Sequence, residues 1–280
     1  MQKFFQTIPA KILLFGEYAV LYGARAFAVP SNIYYGKLNF GDLLQPTVLY
    51  SNKNLRIFAK YLEKNFKDVI QTDELLYDIE QGLYLQTNIP QGFGLGSSGV
   101  LVASIAKHYA KYENFTLDEL HNLLKNMENA FHGNSSGIDP LVSFLNENII
   151  IQNEKIQVYK QKIPNINYKL IDSGNPRNTK HFVGIFKEKM LDKTFYKKFR
   201  TKYIVTNNLL LESYLKEDTS LFEVLLAELS YLQLEMFAEM IPFNIIQKWR
   251  NALKEKTSAY KLCGAGGGGM FLQFNFEDIN

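Results

Sequence analysis

Short apolar runs in the first half of the chain predict β-strands. Residues 8–15 and 33–40 are apolar segments bounded by Gly, Pro or Asn, and residues 83–89 form a third segment of this kind. Residues 52–67 and 97–112 instead carry apolar side chains three or four positions apart, which is the spacing of an amphipathic helix. This half of the chain therefore alternates strands with helices.

A capping signal marks the start of a further helix at Thr116. Glu119 follows three residues later, so the two residues can form a capping box in which each side chain binds the backbone N–H of the other. The apolar stripe predicted for this helix consists of Leu120, Leu123, Leu124, Met127 and Phe131.

The second half continues the mixture of strands and helices, which is typical of an α+β protein. With 280 residues the chain is long enough for two domains, and we place them at residues 1–160 and 161–280. The predicted strands lie at 147–151, 155–160, 168–172, 259–263 and 269–275, and the predicted helices at 179–192, 193–214, 218–237 and 242–254.

Composition and charge narrow the class of protein. Hydrophobic residues make up 46% of the chain and charged residues 21%, which excludes wholesale disorder, and we interpret the 21 Phe and 17 Tyr as core filling. Lys and Arg number 31 against 28 Asp and Glu, so the charge gives no case for nucleic acid or a membrane as partner. The single Cys excludes an internal disulfide, and we expect a cytoplasmic protein.

The segment Pro90–Gly99 (PQGFGLGSSG) carries closely spaced glycines between a predicted strand and a predicted helix. Glycine allows positive φ and a close approach of the backbone to a ligand. A helix that starts near Ser97 presents unpaired N–H groups that suit a phosphate, and the hydroxyls of Ser97 and Ser98 suit a phosphate or a cation. A plain glycine turn is the alternative, and a G-x-G-x-x-G pattern ending at Gly99 leaves a dinucleotide site open.

Three charged residues occupy positions where their surroundings suggest a partner. Lys11 lies inside the apolar strand predicted at 8–15, so it either extends to water or meets an anion. Glu128 lies at the margin of the apolar stripe of the Thr116 helix, where it can point into a cleft. Asp139 follows a Gly- and Ser-rich turn, where a carboxylate serves as a helix cap or as the base for a substrate hydroxyl.

The segment Lys261–Met270 (KLCGAGGGGM) joins the last two predicted strands and has five glycines in six positions. This number exceeds what a hairpin requires. A backbone of this kind can line a site that a ligand approaches closely, and a flexible linker is the alternative.

Together these segments resemble the three motifs of the GHMP kinases, the family of galacto-, homoserine, mevalonate and phosphomevalonate kinases. Pro9–Gly23, Pro90–Ser98 and Lys261–Gly269 match the motifs in order, over nearly the whole chain. Within the family, His132–Asp139 (HGNSSGID) and Pro176–Lys180 (PRNTK) look most like the mevalonate kinase branch.

The resemblance implies direct transfer of the ATP γ-phosphate to the hydroxyl of mevalonate, giving 5-phosphomevalonate. Asp139 takes the position of the catalytic aspartate, and Lys11 that of the lysine that pairs with it. Ser98 and Glu128 match the ligands of Mg²⁺. The implied ATP-binding residues are Pro90, Gly92, Gly94, Leu95, Gly96, Ser97, Ser98 and Gly99.

The resemblance also implies an acceptor site, and the chain departs from the family pattern at three positions. Arg177 is the candidate partner of the mevalonate carboxylate, because a guanidinium binds a carboxylate through two hydrogen bonds. Tyr18 stands where animal mevalonate kinases usually carry His, Ser135 replaces a proline and Cys263 replaces a threonine. The other implied acceptor-binding residues are Glu17, Tyr18, Ser136, Thr179, Gly264, Ala265 and Gly266.

The fold that the resemblance implies is a two-domain α+β fold with the active site in the cleft. Its N-terminal domain is of βαβ type and its C-terminal domain is ferredoxin-like. The implied partners are ATP and a small hydroxy acid, and a homodimer stays open. The alternatives are a phosphomevalonate kinase or another small-molecule kinase of the family, a diphosphomevalonate decarboxylase, and a non-catalytic ligand-binding homologue.

Overall fold

The computed structural model describes residues 3–90, 92–153, 155–164 and 166–279, and its contacts divide the chain into two compact units. The first unit comprises Met1–Ile12, Val29–Pro90 and Leu95–Glu147. The second unit comprises Leu13–Ala28, Gln91–Gly94 and Asn148–Asn280.

Over its described residues, the first unit contains three strand segments and five α-helices. Strand β1 (Thr7–Phe15) contributes its residues up to Ile12, and the longer β2 (Ala26–Phe40) contributes its residues from Val29. The end of β2 pairs antiparallel with β3 (Leu83–Thr87). The helices are α1 (Pro46–Phe66), α2 (Thr72–Glu80), α3 (Ser97–Tyr109), α4 (Leu117–His132) and α5 (Ile138–Leu145).

Helix α4 shows how the local sequence sets the structure. Its capping box is present: the Thr116 side chain accepts from the Glu119 backbone N–H, and the Glu119 carboxylate accepts from the Thr116 N–H at 2.8 Å. The predicted stripe is buried except at Phe131, which is 41% exposed and packs its ring 4.9 Å from that of Phe58. Phe131 therefore lies at the margin of the stripe, where its side chain is partly exposed.

Over its described residues, the second unit contains two antiparallel groups of strands and five α-helices. Strand β4 (Asn148–Gln152) pairs with Ala26–Ala28 of β2 and with β5 (Lys155–Tyr159). The later strands form a sheet in the order β6 (Lys169–Asp172), β8 (Met270–Asn275), β7 (Ser258–Leu262). The helices are α6 (Thr179–Lys189), α7 (Lys193–Lys198), α8 (Ile204–Leu215), α9 (Thr219–Met236) and α10 (Phe243–Glu255).

Aromatic side chains fill the core of the second unit, as the composition predicted. Phe186 is fully buried and lies 5.1 Å from Phe199, ring centre to ring centre. Phe199 stacks on Tyr203 at 5.1 Å, and Tyr203 meets Phe237 edge-on at 5.2 Å. Phe199–Tyr203 forms a short π-helical segment between α7 and α8. Such a segment is frequent at functional sites.

The mixed α+β class is confirmed, and each predicted strand and helix has a counterpart over the described residues, most with small shifts at their ends. Helix α1 begins at Pro46, well before the predicted start at residue 52. The structure differs in adding α2 and α5, in starting β2 at Ala26 instead of residue 33, and in interrupting the helix predicted at 193–214. Helix α5 is only eight residues long and carries Pro140 in its first turn, where proline is tolerated. The early part of β2 was not predicted because it contains Pro30, and proline cannot donate a hydrogen bond within a sheet.

The compact units do not coincide with residues 1–160 and 161–280, and that domain boundary stays a prediction. Residues 148–159 fall in the second unit because β4 pairs there with Ala26–Ala28. The β6–β8–β7 sheet has three strands over the described residues, whereas a ferredoxin-like β-α-β-β-α-β pattern has four. Among the helices of the described ranges, none has the length and apolar character needed to cross a membrane.

Candidate active site

Lys11 and Asp139 form an ion pair in the first unit. Lys11 Nζ lies 2.8 Å from Asp139 Oδ1, and the lysine side chain is 9% exposed against 28% for the aspartate. The lysine inside the apolar strand thus meets an anion, which resolves the alternatives left open by the sequence. Asp139 is in the first turn of α5, and the cap of that helix is Gly137 without a side-chain hydrogen bond, so Asp139 is not the helix cap.

The ion pair lies against the N-terminus of α3. A Cβ placed on Gly96 would lie 3.1 Å from Asp139 Oδ2, and one on Gly99 would lie 2.8 Å from the Asp139 carbonyl carbon. The Lys11 backbone N–H donates to the Leu95 carbonyl at 3.2 Å. Gly96 caps α3 with a φ of 75°, a conformation that favours glycine. A helix N-terminus, which is a favourable place for a phosphate, therefore lies beside a lysine-paired carboxylate.

Glu128 of α4 is buried among hydroxyl groups. Ser98 Oγ donates to Glu128 Oε1 at 2.9 Å, and Ser135 Oγ donates to the other carboxylate oxygen. The Ser135 hydroxyl in turn accepts from the Gly137 N–H at 2.9 Å. The two predicted Mg²⁺ ligands, Ser98 and Glu128, are thus in direct contact, and Ser135 binds the second carboxylate oxygen of Glu128.

The surroundings of Glu128 disfavour the charged form of its carboxylate. Burial, and next the nearby Asp139 carboxylate, raise the pKa of Glu128 from 4.5 to about 7. The Ser135 and Ser98 hydroxyls and the Lys11 ammonium act in the opposite direction. A cation near Glu128 would stabilise the charged carboxylate and so oppose this rise in pKa.

This donor set fits Mg²⁺. The ion prefers oxygen ligands and is commonly bound by one or two carboxylates together with substrate phosphates. Ser98 and Glu128 supply such oxygens beside the helix N-terminus. Within the described part of the chain, no three His, Cys, Asp or Glu side chains form a metal cluster.

In the second unit, the Arg177 guanidinium lies between two glycine-rich segments. Its Nη1 donates to the Cys263 carbonyl at 3.0 Å, its Nη2 contacts the Gly94 carbonyl at 3.4 Å, and its backbone N–H donates to the Gly92 carbonyl at 2.9 Å. A Cβ on Gly94 would lie 1.9 Å from the guanidinium carbon, and one on Gly264 would lie 2.3 Å from Nη1. Glycine at 94 and 264 therefore makes room for the guanidinium, which keeps further N–H donors for an anion.

Tyr18 connects the first motif to the third. Its hydroxyl donates to the Ala265 carbonyl at 2.6 Å, and its ring stacks on Phe186 at 4.4 Å. Tyr18 has a φ of 58°, which is costly for a bulky residue. Burial raises the pKa of the Tyr18 phenol above its ordinary value, so the hydroxyl keeps its proton and stays a donor.

Glu17 forms an ion pair with Lys261, and both side chains are 0% exposed. Lys261 Nζ also donates to the Leu262 carbonyl at 2.8 Å, and its ammonium lies 5.7 Å from the centre of the Phe15 ring. The predicted acceptor ligand Glu17 is therefore inside the protein and occupied by a lysine of the third motif.

The other predicted site residues lie at the surface or in the loops. Thr179 is the exposed first residue of α6, whose cap Asn178 accepts from the His181 N–H at 3.2 Å. Ser136 is exposed, and its hydroxyl accepts from the Ile138 N–H at 3.4 Å. The Ser136 carbonyl oxygen also lies 2.7 Å from His121 Nε2, and these hydrogen bonds join neither Ser136 nor Thr179 to Lys11 or Arg177. Pro90 and Ser97 are half-buried, Gly92 is exposed and Gly266 is buried.

Three buried residues around this region were not singled out by the sequence analysis. Tyr203 donates its hydroxyl to the Glu17 carbonyl at 3.1 Å, and Gln233 donates to the Tyr203 hydroxyl at 2.9 Å. Gln233 also accepts from the Leu262 N–H at 2.7 Å. Lys261 completes the set. A polar residue on a buried helical stripe is the signal that could have identified Gln233.

Comparison with known proteins finds a family model over a region that contains the second of the three motifs, Pro90–Ser98. Residues 54–147 match the family model for the GHMP kinases N terminal domain. The mevalonate kinase of Archaeoglobus fulgidus is 29% identical over 149 residues, which cover 49% of this chain and 49% of that protein. The chain thus matches only about half the length of its curated relatives.

Solved structures extend the likeness of fold over the whole chain. The Methanococcus jannaschii mevalonate kinase has a TM-score of 0.68 at 18% identity, covering 98% of this chain and 92% of that one. The Streptococcus pneumoniae phosphomevalonate kinase has a TM-score of 0.65 at 16% identity, covering 98% and 92%. The resemblance to the GHMP kinases is confirmed. Among the similar proteins, mevalonate kinases are named both by sequence and by structure.

Proposed function

We propose that this protein transfers the γ-phosphate of ATP to the hydroxyl of mevalonate. The observation that carries this proposal is the Lys11–Asp139 ion pair, with its partly exposed carboxylate placed against the N-terminus of α3. A base for an alcohol and a cradle for phosphate, side by side, are the parts that phosphoryl transfer to a hydroxyl requires. The similarity to proteins named mevalonate kinase supports the choice of acceptor.

Asp139 acts as the base in this mechanism. As the acceptor oxygen forms a bond to the γ-phosphorus, its proton passes to the Asp139 carboxylate, the bond from that phosphorus to the bridging oxygen breaks, and ADP leaves with the electron pair. Lys11 holds the carboxylate in place at 2.8 Å and stabilises the negative charge that develops on the acceptor oxygen.

Other residues bind and orient the two substrates. Ser98 and Glu128 would hold Mg²⁺, which when bound neutralises charge on the transferring phosphate. The N-terminal turn of α3 binds phosphate through its backbone N–H groups and the positive end of the helix dipole. Arg177 binds the acceptor carboxylate with the donors that remain after its bonds to Cys263 and Gly94.

The test is ADP release by the wild-type protein with MgATP and, in separate reactions, mevalonate, phosphomevalonate, galactose and homoserine. We expect turnover on mevalonate, with a product heavier by one phosphoryl group in a mass spectrum. Turnover confined to phosphomevalonate or another alcohol would keep the kinase reaction and overturn the acceptor. If the protein binds MgATP but phosphorylates none of the four, the proposal fails in favour of a ligand-binding homologue.

A further inference from the structure

The turn that carries Glu17 and Tyr18 is fastened to the third motif by a buried polar network. We define the Glu17 network as the side chains of Glu17, Lys261, Tyr203 and Gln233. Each of the four residues is at most 1% exposed. Unpaired polar groups at such depth are costly, so the bonds among them constrain the segments that they join.

The network joins these segments through two routes. In the first, the Glu17 carboxylate pairs with the Lys261 ammonium at the end of β7. In the second, the Glu17 carbonyl accepts from the Tyr203 hydroxyl, which accepts from the Gln233 amide, whose oxygen accepts from the Leu262 N–H. Both routes connect the turn at Glu17 to the strand that leads into the third motif.

The neighbouring Tyr18 is held in a strained conformation that this arrangement supports. Its φ of 58° is unfavourable for a tyrosine, and its hydroxyl reaches the Ala265 carbonyl at 2.6 Å. The strain persists only when the surrounding structure determines it. The carbonyl of Cys263, two residues from Ala265, receives the Arg177 guanidinium at 3.0 Å.

We propose that Glu17 is a positioning residue and not a ligand of the acceptor, and that the Glu17 network sets the geometry of Tyr18 and of the third-motif backbone that holds Arg177. The proposal rests on the proposed function for the identity of the acceptor. Lys261, Tyr203 and Gln233 belong to the same network, so we expect them to affect the acceptor site indirectly, through the backbone segments that the network joins.

The decisive experiment is removal of both charges of the buried pair. Glu17→Gln leaves the Lys261 ammonium buried without its carboxylate partner, and Lys261→Met leaves the Glu17 carboxylate buried without its ammonium partner. Each single variant should therefore raise the KM for mevalonate about tenfold or more. The double variant removes both charges, and its KM should return to within about threefold of the wild type. A directly binding Glu17 predicts no such rescue. A double variant as impaired as Glu17→Gln would therefore overturn the proposal.

A milder variant covers the case in which a charged single variant fails to fold. Tyr203→Phe keeps the ring in its stack and removes the hydroxyl between Glu17 and Gln233. We expect the KM for mevalonate to rise about fivefold, while the dissociation constant for MgATP stays within about twofold. The matched control is Tyr214→Phe, a buried tyrosine of α8 whose hydroxyl lies 3.4 Å from the Pro164 carbonyl. Equal KM values for the two variants would contradict the proposal.

Hydrogen exchange separates a failure of this inference from a failure of the proposed function. In Tyr203→Phe, the Leu262 amide and the backbone of 263–269 should exchange about fivefold faster than in Tyr214→Phe, whatever the acceptor is. If the wild type phosphorylates no mevalonate, the proposed acceptor is wrong, yet faster exchange still supports the network. Unchanged exchange in this segment would overturn the network even in an active enzyme.

Discussion

The buried carboxylate of Glu128 should make the stability of the protein depend on pH in a particular direction. Its pKa is about 7 in the folded protein, raised from 4.5 first by burial and then by Asp139. Between these values the folded state holds a proton that the unfolded state has released. The free energy of unfolding therefore falls as pH rises through this window.

The size of the effect follows from the change in pKa. A rise from 4.5 to about 7 corresponds to roughly 3 kcal/mol of differential stabilisation, as an upper value. Glu128→Gln removes the titrating group, and the exchange of one carboxylate oxygen for an amide nitrogen changes the hydrogen bonds with Ser98 and Ser135 by an amount that does not depend on pH. Between pH 4 and pH 8, the free energy of unfolding of the variant should thus rise by up to about 3 kcal/mol relative to that of the wild type.

The assay is urea unfolding followed by far-ultraviolet circular dichroism at several pH values, without nucleotide and with a chelator to remove Mg²⁺. Glu63→Gln is the control, because Glu63 is an exposed acid on α1 of the same unit. We expect its profile to parallel that of the wild type. If the Glu128→Gln profile is also parallel, or if its relative stability falls with rising pH, the environment assigned to Glu128 is wrong.

Three further changes test separate parts of the structure. Gly99→Ala should lower kcat at least about tenfold, because the new methyl group would lie 2.8 Å from the Asp139 backbone; Gly184→Ala in α6 has open space and should retain activity. Arg177→Lys should raise the KM for mevalonate about tenfold in steady-state assays, since an ammonium cannot form the two parallel hydrogen bonds of a guanidinium. An unchanged KM would exclude Arg177 as the carboxylate ligand. Thr116→Ala should lower the free energy of unfolding in urea by about 1 kcal/mol, and an unchanged midpoint would show that the cap does not stabilise α4.

Local signals in the sequence were sufficient for most of the elements. The capping box at Thr116 contains both of its partners within four residues, so its geometry needs no knowledge of the rest of the chain. Helix α5 was missed because it is short and begins after a glycine turn. Strand β2 was found only in part because Pro30 argues against a strand from local rules alone.

The candidate site depends on contacts that local patterns do not contain. Lys11 and Asp139 are far apart in sequence and meet because α5 packs closely on α3, at a point where Gly99 leaves no room for a side chain. Their pairing was predicted from the family resemblance and not from spacing. Tyr203 and Gln233 belong to no motif, and only the folded chain shows that they connect Glu17 to Leu262.

The most direct test of Asp139 as the base compares turnover with nucleotide binding in Asp139→Asn. The proposed mechanism predicts that kcat for mevalonate falls about 10²- to 10⁴-fold. The dissociation constant for MgATP, measured by titration calorimetry, should stay within about threefold of the wild type. An Asp139→Asn variant that binds MgATP normally and keeps more than about a tenth of the wild-type kcat would contradict the mechanism.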